Sequence, residues 1–165
     1  MRKIFAIYAL AILCMSCGDD MDPGTPGQGP INTISEDAIF WTGPEITFTL
    51  GDGLDHRQEV NQDRLTDNVI ITRSTVGGQI FNFVTETAAS SSVSPQGTEW
   101  AIGRSDNAEN IVFAPFRDAV GDPRDRVVGQ ELVLHLIEDD IYIDVTFTSW
   151  SRQRNGGFSY IRTTP

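Results

Sequence analysis

The chain is poor in the side chains that carry most covalent and metal chemistry. Its only lysine is Lys3, its two cysteines are Cys14 and Cys17, and its two histidines are His56 and His135. Everything after residue 17 therefore lacks both lysine and cysteine. That excludes Schiff-base chemistry, thiol nucleophiles, zinc-thiolate sites, a lysine-bearing phosphate loop and disulfide stabilisation of the folded part. A three-histidine zinc site is impossible, and a two-histidine site needs His56, in a loop, to converge with His135, on a strand. Positive charge is scarce as well. The formal net charge of -11 over 165 residues argues against affinity built on neutralising nucleic-acid phosphates or coating an anionic membrane.

Long hydrophobic runs are also missing. The apolar stretch Ile4 to Leu13 (IFAIYALAIL) falls short of the roughly 20 residues that a spanning helix needs. Arg2 and Lys3 precede it, and Cys14-Met15-Ser16-Cys17 and the acidic Gly18-Asp19-Asp20 follow. This is the layout of a secretory signal peptide. Ser16 before Cys17 resembles a bacterial lipoprotein cleavage box, although the leucine usual three residues before the cysteine is replaced by Cys14 and stands one place earlier, at Leu13. The resemblance implies removal of residues 1–16 and lipidation of Cys17, an anchor of several acyl chains without a membrane span. Ordinary secretion is the alternative. Residues 18–30, GDDMDPGTPGQGP, cannot build a core and read as a flexible tether. Asp19, Asp20 and Asp22 resemble the acidic tethers of lipoproteins exported to the cell surface of some Gram-negative bacteria. The expected location is the outer membrane or cell surface.

Residues 31–165 read as one domain of short strands with a period of two. Ile46 to Leu50 alternates apolar residues with threonine, and Val69–Arg73, Ile80–Val84, Glu99–Gly103, Leu132–Ile137, Ile141–Trp150 and Phe158–Arg162 are further β-rich runs. The pattern predicts an all-β domain, an antiparallel β-sandwich or jelly roll of about seven to nine strands. Ala88 to Gly97 is a polar loop, and Asn107 to Asp118 has room for a helical turn that Pro115 limits.

The clearest local expectation is a hairpin around Asp139-Asp140. Leu132, Leu134 and Leu136 must share a face with Ile141, Ile143, Val145 and Phe147. A two-residue loop satisfies this parity and sets His135 across from Asp144; a four-residue loop satisfies it too and sets His135 across from Tyr142. The opposite face, with Val133, His135, Ile137, Tyr142, Asp144, Thr146, Thr148 and Trp150, reads as half-solvated. Asn155-Gly156-Gly157 supplies the positive φ angles of a following tight turn.

Ser105-Asp106-Asn107 matches a fragment of the penicillin-recognising serine enzymes, but the Ser-x-x-Lys partner has no lysine to use. Three constellations remain. His135, Tyr142 and Asp144 offer the acid-base pair and phenol that polysaccharide lyases and hydrolases use, or else a cross-strand pair that only stabilises the sheet. Asp52, Asp55, Asp63 and Asp67 lie in an acidic segment whose oxygens suit Ca2+, against a reading as solvated turn carboxylates. Trp150, with Arg152 and Arg154 nearby, offers a stacking face and hydrogen-bond donors for a glycan or carboxylate, whereas Trp41 and Trp100 read as core.

Asn61 to Asn68, Ile71-Thr72-Arg73, Ser94 to Ala101, Ile141 to Trp150 and Gly156 to Arg162 together resemble a recurring β-rich domain of secreted and surface-anchored bacterial proteins. The resemblance covers about residues 40–163 and implies an extracellular β module without carrying over an activity. The leading reading is a non-catalytic surface lipoprotein that binds a glycan, a protein or an envelope component. The alternatives are a small carbohydrate-active enzyme using His135, Tyr142 and Asp144, and a structural stalk.

Overall fold

Apolar residues that alternate with threonine and charged residues bury one side of an extended chain, and two such surfaces close on each other. The computed structural model describes residues 34–165; the expected leader 1–16, Cys17 and the expected tether 18–30 lie outside the described residues. The strands are β1 (Ile39–Trp41), β2 (Gly43–Leu50), β3 (Asp63–Arg64), β4 (Ile70–Arg73), β5 (Ile80–Asn82), β6 (Thr98–Ile102), β7 (Glu131–Leu136), β8 (Ile141–Trp150) and β9 (Phe158–Thr164). The larger sheet runs β2-β9-β8-β7-β6, with β1 added in parallel to the start of β8, and β3-β4-β5 form the second sheet. The domain is an all-β sandwich of two open sheets. Among the described residues no helix is long and apolar enough to cross a membrane.

Each expected strand is present with slightly moved ends, and β1 and β3 are additions too short to declare a period. The helical turn between Asn107 and Asp118 becomes a 3-10 stretch at Ser105–Asn110 and helix α1 at Phe116–Val120. Pro115 starts α1 instead of limiting it, because a residue before the first turn needs no N–H for the helix. Helix α2 (Pro123–Arg126) follows, its first turn capped by the Asp122 carboxylate, which accepts from the Arg124 N–H at 3.1 Å.

The core lies between the sheets. Trp100, Leu134, Phe147 and Phe158 of the larger sheet meet Ile71 and Ile80 of the smaller one, and Phe116 and Val120 of α1 close one end. Trp41 and Trp100 are buried as expected of packing residues. The other face of the larger sheet is covered in part and open in part: Asp144 and Thr146 are half-buried and Ile137 and Thr148 exposed. Val133 and Tyr142 pack there with Ala108, and Ile34, Ala38, Ile111 and Phe113 cover them.

The hairpin takes the longer of its two permitted registers. Leu136 pairs with Ile141, His135 with Tyr142 and Val133 with Asp144. The pairing of His135 with Asp144 therefore does not occur. Asp140, in the connecting loop, sits at φ 51°, a left-handed conformation that aspartate tolerates better than most residues.

Two irregularities shape the far end of β8. A bulge between Phe147 and Ser149 leaves Thr148 and Ser149 both exposed. The extra residue reverses the parity, so Trp150 lies on the core side with Phe147 and not on the opposite face with Tyr142 and Asp144. The connection to β9 then runs over 151–157, longer than a tight turn at Asn155-Gly156-Gly157, with positive φ at Gln153, Arg154 and Gly156. A Cβ on Gly156 would meet backbone atoms of Ser74 and Thr75 at 3.1–3.2 Å, so glycine lets this loop lie against the turn that follows β4.

Candidate functional site

The close approach at Gly156 builds a cavity at one end of the sandwich. Its walls come from the end of β4 and the turn after it, from α1 and α2, and from the end of β8 with its loop. The volume is about 390 Å³, within the range of small-ligand sites, roughly 300–1,000 Å³. Trp150, Arg152 and Arg154 all line it, joined by Arg73, Arg117 and Arg124. In a chain of net charge -11, five arginines surround a single cavity.

These arginines are not equivalent. Arg124 is held by Asp122, whose carboxyl lies far below its usual range because the guanidinium and the Arg124 backbone N–H bond to it, with Arg117 adding to the effect. Arg152 donates to Asp125 at 2.8 Å and to the Arg124 carbonyl at 3.2 Å. Arg117 and Arg154 have no carboxylate within ion-pair distance among the described residues. Gly77, at φ 110°, leaves room for the Arg154 stem, which a Cβ there would meet at 3.3 Å.

Arg73 is the unusual member. Ile71 points into the core, and the period of two carries Arg73 to the same side, where only 4 % of it is exposed. Its guanidinium lies 4.1 Å from the centre of the Trp150 ring. It donates to the carbonyls of Gly78 (3.2 Å), Ser151 (3.0 Å) and Gly157 (2.9 Å). Burial draws its pKa down to about 10, with Asp52 acting weakly in the opposite direction, so it remains a cation at neutral pH. Among the described residues it has no ion-pair partner.

Trp150 is thus a support more than an open stacking platform. One face carries the Arg73 guanidinium, and Phe116, Phe147 and Phe158 pack around the ring. Two buried atoms of the lining residues, Trp150 Nε1 and Gln79 Oε1, have no hydrogen-bond partner among the described residues.

His135, Tyr142 and Asp144 do not form one group. His135 is buried, contacts Glu99 through Nδ1 (2.8 Å) and Asp140 through Nε2 (3.2 Å), and stacks on Tyr142 at 4.2 Å. Tyr142 stacks in turn on Phe40, and Phe113 meets both rings edge-on. Burial pushes the Tyr142 phenol up, and Asp140 and Glu99 add to it. Asp144 faces elsewhere, accepting from the Ser105 N–H at 2.7 Å and from Arg104 at 3.1 Å. His56 lies edge-on to Phe81 and Phe83, in a different part of the domain from His135.

The four aspartates considered for Ca2+ part to different partners. Asp52 accepts from the Ser151 hydroxyl; Asp55 takes both ends of Arg57, which holds its carboxyl at about 2; and Asp67 meets Arg64 at 3.4 Å. Asp63 is buried, with Oδ2 accepting from Arg162 Nε (2.7 Å) and the Tyr160 hydroxyl (2.6 Å) and Oδ1 accepting from Arg162 Nη2 (2.8 Å). Asp55, Asp63 and Asp67 thus each meet an arginine of their own and Asp52 meets a hydroxyl, so the four carboxylates do not converge on one point. Among the described residues no group of three or more His, Asp or Glu side chains is arranged to hold a metal ion.

The sequence reading missed Arg73, Arg117 and Arg124, and the Glu99 and Asp140 partners of His135. For Arg73 a signal existed in its parity with Ile71. The others depend on how loops distant in sequence meet. Comparison with known proteins finds no matching family model, no similar curated protein and no similar solved structure.

Proposed function

We propose that the chain is a lipoprotein of the bacterial cell surface, anchored through an acylated Cys17 and spaced from the membrane by residues 18–30, whose β-sandwich is a non-catalytic module that binds a saccharide. The leader pattern before Cys17 and the acidic, proline- and glycine-rich stretch after it support the anchor. The observation that carries the binding reading is the cavity that collects Trp150, Arg152 and Arg154 with further arginines. Planar, multi-donor guanidinium groups around a concave site suit ligands rich in hydroxyl and carboxylate oxygens. The His135 group favours binding over catalysis, since its ring is stacked, hydrogen-bonded at both nitrogens and absent from the cavity lining.

The test is a saccharide array probed with the full chain in detergent, together with fractionation of cells that express it. Saccharide binding that a cavity substitution such as Arg152→Gln weakens, and release of Cys17→Ala from the membrane fraction, are the expected results. A blank array with folded protein removes the binding reading and leaves the stalk. Unchanged membrane retention of Cys17→Ala removes the lipid anchor.

A further inference from the structure

The cavity separates its arginines into two kinds. Arg124 and Arg152 are neutralised by Asp122 and Asp125. Arg73, Arg117 and Arg154 are not paired; elsewhere among the described residues Arg57, Arg64, Arg104 and Arg162 each meet a carboxylate, and Arg126 does not. Unpaired surface arginine alone has little meaning, because water solvates it. A buried one is different: taking a guanidinium out of water is costly unless an anion or a full set of acceptors replaces the hydration. Arg73 has three carbonyls and an aromatic face, which orient it, but no charge to match its own.

We infer that the saccharide bound here is acidic, with a carboxylate or sulfate group seated among Arg73, Arg117 and Arg154. The inference rests on the saccharide-binding reading above and adds the charge of the ligand and the residues that receive it. Arg73 is pre-oriented by Trp150 and by the carbonyls of Gly78, Ser151 and Gly157, so little rotamer freedom is lost when the anion arrives. Arg117 and Arg154 reach the cavity from different elements, α1 and the β8–β9 loop. The carboxylates around them are Asp52 near Arg73, Asp122 near Arg117 and Arg124, and Asp125 on Arg152. They lower the positive potential of the site without forming an ion pair with Arg73, Arg117 or Arg154. A neutral saccharide leaves the Arg73 charge unmatched. Charge-assisted bonds are the stronger ones, so the acidic ligand is expected to bind at least tenfold tighter than its neutral counterpart.

Isothermal titration of the full chain in detergent with three oligosaccharides tests this: an oligogalacturonate, a sulfated galactan oligomer and the matching neutral galactan. At least one of the two acidic probes is expected to bind tenfold or more tighter than the neutral one and to weaken as salt is added; which one binds better tells carboxylate from sulfate. Arg117→Gln with Arg154→Gln, both on exposed side chains, is expected to remove that preference while leaving the thermal midpoint near the wild-type value. Arg73→Lys, which keeps the charge and loses the fork, is expected to weaken the acidic probe by at least tenfold. Equal binding of neutral and acidic probes overturns the inference and leaves the saccharide reading standing. Binding of none of them overturns both. An acidic preference that survives the double substitution places the anion elsewhere and overturns the site.

Discussion

Two buried arginines, Arg162 and Arg73, sit at different places in the same sandwich, each over a tryptophan. Arg162 lies 5.5 Å from the Trp41 ring and Arg73 lies 4.1 Å from that of Trp150. Both are less than a tenth exposed, at 6 % and 4 %. What differs is the counter-charge. Arg162 is gripped by both oxygens of Asp63, and the Tyr160 hydroxyl donates to the same carboxylate. Burial by itself would lower the pKa of Arg162, but Asp63 outweighs it and the net direction is up; for Arg73 burial wins and the pKa falls to about 10. The first arrangement ties β9 of the larger sheet to β3 of the smaller one and is complete within the fold. The second donates to carbonyls from Nε and Nη1, meets no carboxylate among the described residues, and opens on a cavity. The domain thus uses the same residue type once as a clamp and once, on the proposed reading, as a receptor for an anion.

The clamp yields the largest expected effect. Asp63→Ala leaves the Arg162 charge buried without a partner and removes the acceptor of Tyr160, so unfolding in urea should show a loss of about 3–5 kcal/mol. Arg73→Met strands no opposite charge. It leaves three carbonyls short of a donor and should cost less, about 1–3 kcal/mol. Equal losses in the two variants would erase the contrast and make Arg73 a second structural clamp.

How much of this contrast the sequence reveals depends on the range of the interactions. The strands were legible because the alternation in Ile46 to Leu50, or in Leu132 to Leu136, is local and the burial of one face enforces it. The hairpin parity was legible for the same reason, while the choice between a two- and a four-residue loop was not, since both bury the same leucines. The period of two puts Trp150 on the wrong face because a single bulge residue reverses the parity and nothing in Phe147-Thr148-Ser149 announces it. The clamp joins residues 63 and 162, and the cavity joins the turn after β4, the two helices and the β8–β9 loop. Such long-range meetings have no periodic signature. Trp150, Arg152 and Arg154 line one cavity, since three positions within five residues beside a turn stay together whatever the rest of the chain does.

A pH titration sharpens the clamp side further. Burial, and then Asp63, raise the Tyr160 pKa well above its usual 10, against a smaller opposing pull from Arg162. A group whose folded pKa is raised contributes stability that is fully present below the unfolded pKa, near 10, and is lost as pH climbs toward the folded one. The unfolded state then sheds a proton that the native state keeps. Between pH 10 and 11 the wild type should lose up to about 1.4 kcal/mol more than Tyr160→Phe, read from urea curves at each pH. Tyr142, also raised, is common to both proteins and cancels in the difference. Parallel curves would mean that Tyr160 ionises as readily in the fold as out of it, and that the clamp is open to solvent.

The smallest effect concerns the ring beneath Arg73. Trp150→Phe keeps an aromatic face under the guanidinium and discards an indole N–H that has no partner among the described residues, so it should cost little beyond lost contact area. Trp150→Leu removes the face as well, and the two variants should differ by about 0.5–2 kcal/mol, the range of a partly desolvated cation–π contact. The same pair made in an Arg73→Met background decides the cause. Without the guanidinium the difference should vanish, because the ring then has no cation to support. If it persists, Phe116, Phe147 and Phe158 are what the ring serves, and Arg73 is held by its three carbonyls alone.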